Sequence, residues 1–244
     1  MTSPQIFERS PHSESTLEHI AEDAFRKHPS VLPRRPNAVL IERLIELAFG
    51  FNETYENLEK GLLGEIHFGV DDRPIGIRLA RRLGDICQDP SIEHERRMTL
   101  AHECGHGLAH SKFFGSRLRR DLAPRLPGLD DSHQRIIHRN YGLSADSIEA
   151  SSSEKRLEWE ADYLMAALLL PRSLVRKFLA PWLSGQADGV SPRCLPDENL
   201  RSAISATATK FNVSRELAAK RISKLIPSYS QPDLFENHHS ISVI

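Results

Sequence analysis

Apolar residues recur at helical spacing along most of the chain and alternate strictly in one region. Leu17, Ile20, Ala21 and Ala24 share one face of a predicted helix over residues 17–27, with Thr16 or Ser15 as its cap. Pro33 and Pro36 interrupt the pattern. Leu40, Ile41, Leu44, Ile45 and Leu47 then form the broad apolar face of a second helix, residues 38–48, capped by Asn37 and ended by Gly50. After residue 64 the period changes to two. Ile66, Phe68 and Val70 alternate with Glu65, His67 and Gly69, and Ile75, Ile77 and Leu79 alternate with Gly76, Arg78 and Ala80. Residues 71–74 supply turn chemistry between them. The pattern predicts a β-hairpin with one buried face, which places His67 on the solvent side.

A longer helix is predicted from Ser91, its cap, to about His110. Leu100, Cys104 and Leu108 recur every four residues, about 200° round the helix from a row made by His102 and His106. The helix therefore divides into a core face, to which Cys104 belongs, and a polar face. That polar face reads His-Glu-x-x-His over residues 102–106. Residues four apart lie about 40° apart with Cβ atoms roughly 5–6 Å from each other, so His102 and His106 can close on one metal ion. Chance alone supplies such a motif in roughly 0.04 chains of this composition. Gly105 and Gly107 each cost about 1 kcal/mol against alanine within a helix, which points to close approach of another backbone or of a substrate.

Residues 112–157 are dense in arginine (Arg117, Arg119, Arg120, Arg125), read as a solvated face, and hold one short predicted helix over residues 131–139. A second informative helix covers residues 153–170. Glu158 and Asp162 share a face of it, whereas Glu160 lies about 200° from Glu158 and is assigned no part in the same site. The segment from Tyr163 to Leu170 is apolar all round. A carboxylate pair leading into a buried helix is costly unless compensated, and a metal compensates it. Beyond Pro171 follow a helix over residues 174–182, a linker over 185–196 and two amphipathic segments within 197–226, the second capped by Ser214. The tail from Pro227 is expected to be disordered.

Composition narrows the class. The 244 residues carry 32 basic and 33 acidic side chains for a net charge of −1, which leaves no electrostatic footprint for nucleic acid or an anionic membrane. Cys87, Cys104 and Cys194 are too few for a disulfide framework and suit a reducing compartment. Residues 1–15 lack the apolar centre of a signal peptide, and the longest apolar run is far below a membrane span. The expectation is a cytoplasmic protein with no membrane and no direct nucleic-acid partner.

The chemistry follows from the ligand types. A catalytic zinc takes three protein ligands and keeps one position open. His102, His106 and Glu158 supply them, Glu103 accepts a proton from water and passes it to the leaving amine, and Asp162 takes the spare ring N–H of a ligand histidine. Ligand type alone does not separate Zn2+ from Mn2+. A third histidine at the spacing of the elongated zinc motif is absent, since that place holds Lys112, and His110 on the same helix would strain a tetrahedral site. Tyr141, His133, His138 and Tyr163 are the candidates for stabilising an oxyanion.

Residues 96–106, Arg-Arg-Met-Thr-Leu-Ala-His-Glu-Cys-Gly-His, and residues 158–171, Glu-Trp-Glu-Ala-Asp-Tyr-Leu-Met-Ala-Ala-Leu-Leu-Leu-Pro, resemble the ImmA/IrrE family of metallo-endopeptidases. Those enzymes are similar to gluzincins, in which the second helix carries a glutamate ligand and, four residues on, an Asp or Asn. The resemblance implies an α+β, zincin-like metallopeptidase, mainly helical with a small antiparallel sheet and a C-terminal helical segment. It divides the chain into a flexible arm (1–15), a peptidase domain (16–184) with an insertion at about 112–157, a C-terminal helical region (185–226) and a tail (227–244). It also implies a protein substrate, a helix-turn-helix transcriptional repressor often encoded next door. Two departures stand out: the 52 positions between His106 and Glu158 exceed the family spacing, and Cys104 replaces a bulky apolar residue. A regulatory binding protein with a structural metal and a small-substrate metallo-amidase are the competing expectations.

Overall fold

A computed structural model describes residues 11–85, 89–122, 135–140, 152–183 and 194–226. The chain divides into two compact units, residues 1–34 with 38–171, and residues 35–37 with 172–244.

The first unit contains α1 (Glu14–Lys27), α2 (Ile41–Phe49), β1 (Thr54–Glu56), β2 (Leu62–Phe68), β3 (Pro74–Ala80), α3 (Pro90–Leu122), β4 (Arg135–Asn140) and α4 (Ser152–Leu169). The strands form one sheet in the order β1-β3-β2-β4. The hairpin β2–β3 is present as its alternation requires, with Ile66 opposite Ile77. The class is α+β and mostly helical, but the sheet is mixed rather than antiparallel, because β1 joins β3 in parallel.

Two further expectations change here. Residues 135–140 form a strand, not part of a helix: they pair antiparallel with β2, Ile137 opposite Ile66. β-Branched residues side by side are at home in such an edge pairing and lend little to a short helix. β2 thereby becomes an inner strand, and all seven of its residues are buried. His67 is 3% exposed rather than solvent-facing; its Nε2 lies 2.8 Å from Glu65 Oε1, and Arg78 of β3 reaches the same carboxylate at 3.6 Å. A polar row is buried on this face because its members satisfy one another.

Helix starts are set by neighbours the local pattern does not show. Ser13, not Ser15 or Thr16, caps α1 by accepting the Thr16 N–H at 3.1 Å. Residues 38–40 stay outside α2, since the Leu40 N–H donates to the Val31 carbonyl and the Val39 carbonyl accepts from buried Arg97 at 2.9 Å. α3 is capped by Asp89, whose carboxylate accepts the Ser91 N–H at 2.8 Å, with Pro90 in the first helical position. That contact holds the Asp89 carboxyl below the ordinary carboxylate range. α3 continues to Leu122, three turns past the expected end at His110. Arg96 ties its first turns to Glu42 of α2 (2.5 Å) and to Glu53 just before β1 (3.3 Å), and pairs with Glu93 one turn earlier on α3 (2.8 Å).

α3 lies on the sheet at Gly64. A Cβ at that position would sit 2.5 Å from Thr99 Cγ2 and 3.2 Å from Glu103 Oε1. Thr99 is β-branched within a helix and has little freedom to yield. Gly64→Ala is expected to destabilise the protein by roughly 1–3 kcal/mol through overpacking; an unchanged melting temperature would contradict this contact.

The second unit contains α5 (Arg172–Leu179), α6 (Asp197–Phe211) and α7 (Arg215–Leu225). The helix expected over residues 174–182 is α5 followed by a 3-10 turn at Ala180–Trp182. Phe211 is fully buried, with the Phe178 ring edge-on to it at 5.8 Å. Asn212 turns the chain with a left-handed φ of 54°, and Ser214 caps α7 through the Leu217 N–H, as its position after Val213 predicts. Most of the 185–196 linker and the tail from Pro227 lie outside the described residues.

Candidate metal centre

His102 and His106 sit one turn apart on α3, both fully buried, while Leu100 and Cys104 on the far face are buried in the core. α4 crosses α3 closely at Gly105. A Cβ there would lie 3.1 Å from the Ala161 carbonyl oxygen and 3.0 Å from Leu164 Cβ, so the glycine permits the backbone approach that its helix-breaking cost suggests. The approach carries Glu158 and Asp162 to the imidazoles.

The three donor groups converge. His102 Nε2 and His106 Nε2 are 3.0 Å apart, and Glu158 places Oε2 3.2 Å from the first and Oε1 3.3 Å from the second. Nitrogen donors about 2.0–2.1 Å from a tetrahedral zinc lie about 3.3 Å from one another. The set therefore fits such an ion in spacing and in donor type, and among the described residues it is the one group of three that does. The Glu158 side chain is 38% exposed, so the cluster is open to solvent on the α4 side.

Asp162 Oδ1 accepts from His102 Nδ1 at 2.9 Å, the position its spacing from Glu158 predicts. Glu103 is fully buried between α3 and β2, its carboxylate against Gly64. Of the oxyanion candidates, Tyr163 turns away and donates to Glu18 at 3.0 Å. His138 falls on β4 in register with Glu65, and His133 and Tyr141 lie outside the described residues.

The reading from spacing missed His110 and Glu160. His110 Nδ1 lies 2.8 Å from His106 Nδ1, and Glu160, 1% exposed, holds His110 Nε2 at 3.2 Å. Glu160 thus reaches the site through an intermediary despite its angle from Glu158. A histidine one turn beyond the second motif histidine was the available signal.

No family model matches this chain, and no curated protein matches it significantly.

Electrostatics favour a neutral imidazole at His106 and an ionised carboxylate at Glu158. Burial pushes the His106 imidazole down to about 3, ahead of any opposing effect of Glu158. For Glu158, burial alone raises the carboxyl, but its hydrogen bonds with His102 and His106 outweigh it and hold it well below the ordinary range. Both shifts act with one sign on stability. Between about pH 6.5 and 3 the unfolded chain binds a proton at position 106 that the folded chain rejects, and below the ordinary carboxylate range Glu158 adds a second. The metal-free protein is expected to hold its stability above pH 7 and lose it progressively as pH falls; denaturant midpoints that do not move from pH 7 to 4 would contradict this.

Cys104 is fully buried, and burial pushes its thiol up. The side chain is core, not a redox centre. A thiol reagent is expected to leave it unlabelled in the native protein and to label it after unfolding; native labelling at position 104 would overturn the assignment.

Proposed function

We propose that this chain is a metal-dependent endopeptidase of the zincin-like kind, acting in the cytoplasm on a helix-turn-helix transcriptional repressor. The observation that carries the proposal is the convergence of the two imidazole Nε2 atoms and the Glu158 carboxylate, 3.0–3.3 Å apart, with Asp162 behind His102. His102, His106 and Glu158 would hold the ion, Zn2+ by donor type with Mn2+ also compatible. Such an ion supplies a Lewis acid and lowers the pKa of water to about 7.

The chain's own groups do the rest. Glu103, next to the first histidine in the motif, takes a proton from the attacking water and returns it to the departing amine. Asp162 holds His102 in the tautomer that leaves Nε2 unprotonated. The neutral state of His106 keeps its lone pair available at physiological pH. No helix among the described residues is long and apolar enough to cross a membrane.

The test is incubation of the full chain, loaded with zinc, with the repressor encoded beside it. Two discrete fragments that vanish when a chelator is present are the expected result. A repressor left intact by a chain carrying one equivalent of zinc would overturn the proposal.

A further inference from the structure

Behind His106 lies a run of polar groups that the proposed hydrolysis does not use. His110 is fully buried one turn further along α3, its Nδ1 2.8 Å from His106 Nδ1 and its Nε2 3.2 Å from Glu160 Oε2. Glu160 is buried on α4. The same Oε2 meets His12 Nδ1 at 3.0 Å, while Oε1 accepts the His12 backbone N–H at 2.9 Å. Arg156, one turn earlier on α4, lies 3.5 Å from Oε1 through Nε and donates to the His12 carbonyl at 2.8 Å. The residues just before α1 are thereby fastened to the back of the site.

The direction of the hydrogen bonds follows from the ends of the run. A His106 that offers Nε2 to an ion carries its proton on Nδ1 and donates to His110 Nδ1. His110 then carries its proton on Nε2 and donates to Glu160. The opposite direction needs a protonated Glu160, against the donors that His12 and Arg156 aim at it. The result is a carboxylate acting through one neutral imidazole on another. His102 has the shorter arrangement, a direct bond to Asp162.

We infer that His110 and Glu160, steadied by His12, are positioning residues that fix His106 in its Nδ1–H tautomer and strengthen its hold on the metal. This rests on the metal-site reading above. Carboxylates placed behind ligand imidazoles set ring orientation and raise ligand basicity, and their loss weakens metal binding by roughly 10–100-fold.

The test measures zinc affinity of the full chain by competition with a chromophoric chelator, together with the melting temperature of the metal-free protein. Glu160→Gln is expected to weaken zinc binding by roughly 10–100-fold. His12→Ala is expected to weaken it by a smaller factor in the same direction, with the metal-free melting temperature unchanged. Long-range proton–nitrogen spectra of the zinc-loaded wild type are expected to place protons on His106 Nδ1 and His110 Nε2. The His12 side chain is 24% exposed, so this variant decides the matter if Glu160→Gln does not fold. Wild-type affinity in the folded variants, or a proton on His110 Nδ1, overturns the inference and leaves the metal site standing. A wild-type chain that binds no zinc overturns both.

Discussion

Glu158→Ala is expected to strip the chain of zinc while leaving it folded. Glu158 is the one donor from α4 in the ligand group and the one donor carrying charge. Its side chain is partly exposed, so truncation opens no cavity in the core. The α3–α4 seam persists, because Ala161 and Leu164 of α4, both buried, pack against Gly105 of α3. What remains is two neutral imidazoles, too few for tight zinc binding. Affinity should fall by more than the roughly 10–100-fold that follows loss of a supporting group behind a ligand, and peptide cleavage should fall with it. Metal analysis after dialysis gives the answer. One tightly held equivalent of zinc in the folded variant would mean that Glu158 is not a ligand.

Glu103→Gln separates chemistry from binding. The amide keeps the shape of the side chain in its buried place between α3 and β2, beside Gly64. It cannot take up a proton. Loss of a general acid–base group costs roughly 10²–10⁴-fold in rate. The expected result is turnover lowered by that factor with zinc content and melting temperature near those of the wild type. A kcat within a few-fold of wild type would remove Glu103 from the mechanism; loss of zinc along with activity would give it a structural role instead.

The candidate site residues were legible in the sequence because each pair lies on one helix at a spacing of four: His102 with His106, and Glu158 with Asp162. The contact between the two pairs was legible only through Gly105, whose cost in a helix implies a close neighbour. What was not legible shares one property, dependence on a distant segment. Glu160 faces away from Glu158 about the α4 axis, yet its partners come from α3 and from the residues before α1. An angle around one helix axis says nothing about either. Alternation assigns His67 to solvent because it describes a strand with one covered face, whereas β2 is buried on both faces. β4 itself is six residues long, with two adjacent isoleucines that fit either period. The caps fall at Ser13 and Asp89, two or more residues before the expected ones, because several residues able to cap stand close together in each stretch.

Two of the proposed ligands ride on α3 and the third on α4, and this joins occupancy of the site to the cohesion of the helix pair. Any ion held by all three prefers the docked arrangement, and by linkage the docked arrangement gains what the ion contributes, about 2.7 kcal/mol at a free concentration one hundred times its dissociation constant. Cellular zinc supply would then set how long the chain lasts as well as how fast it works, with starvation leaving a looser molecule exposed to degradation.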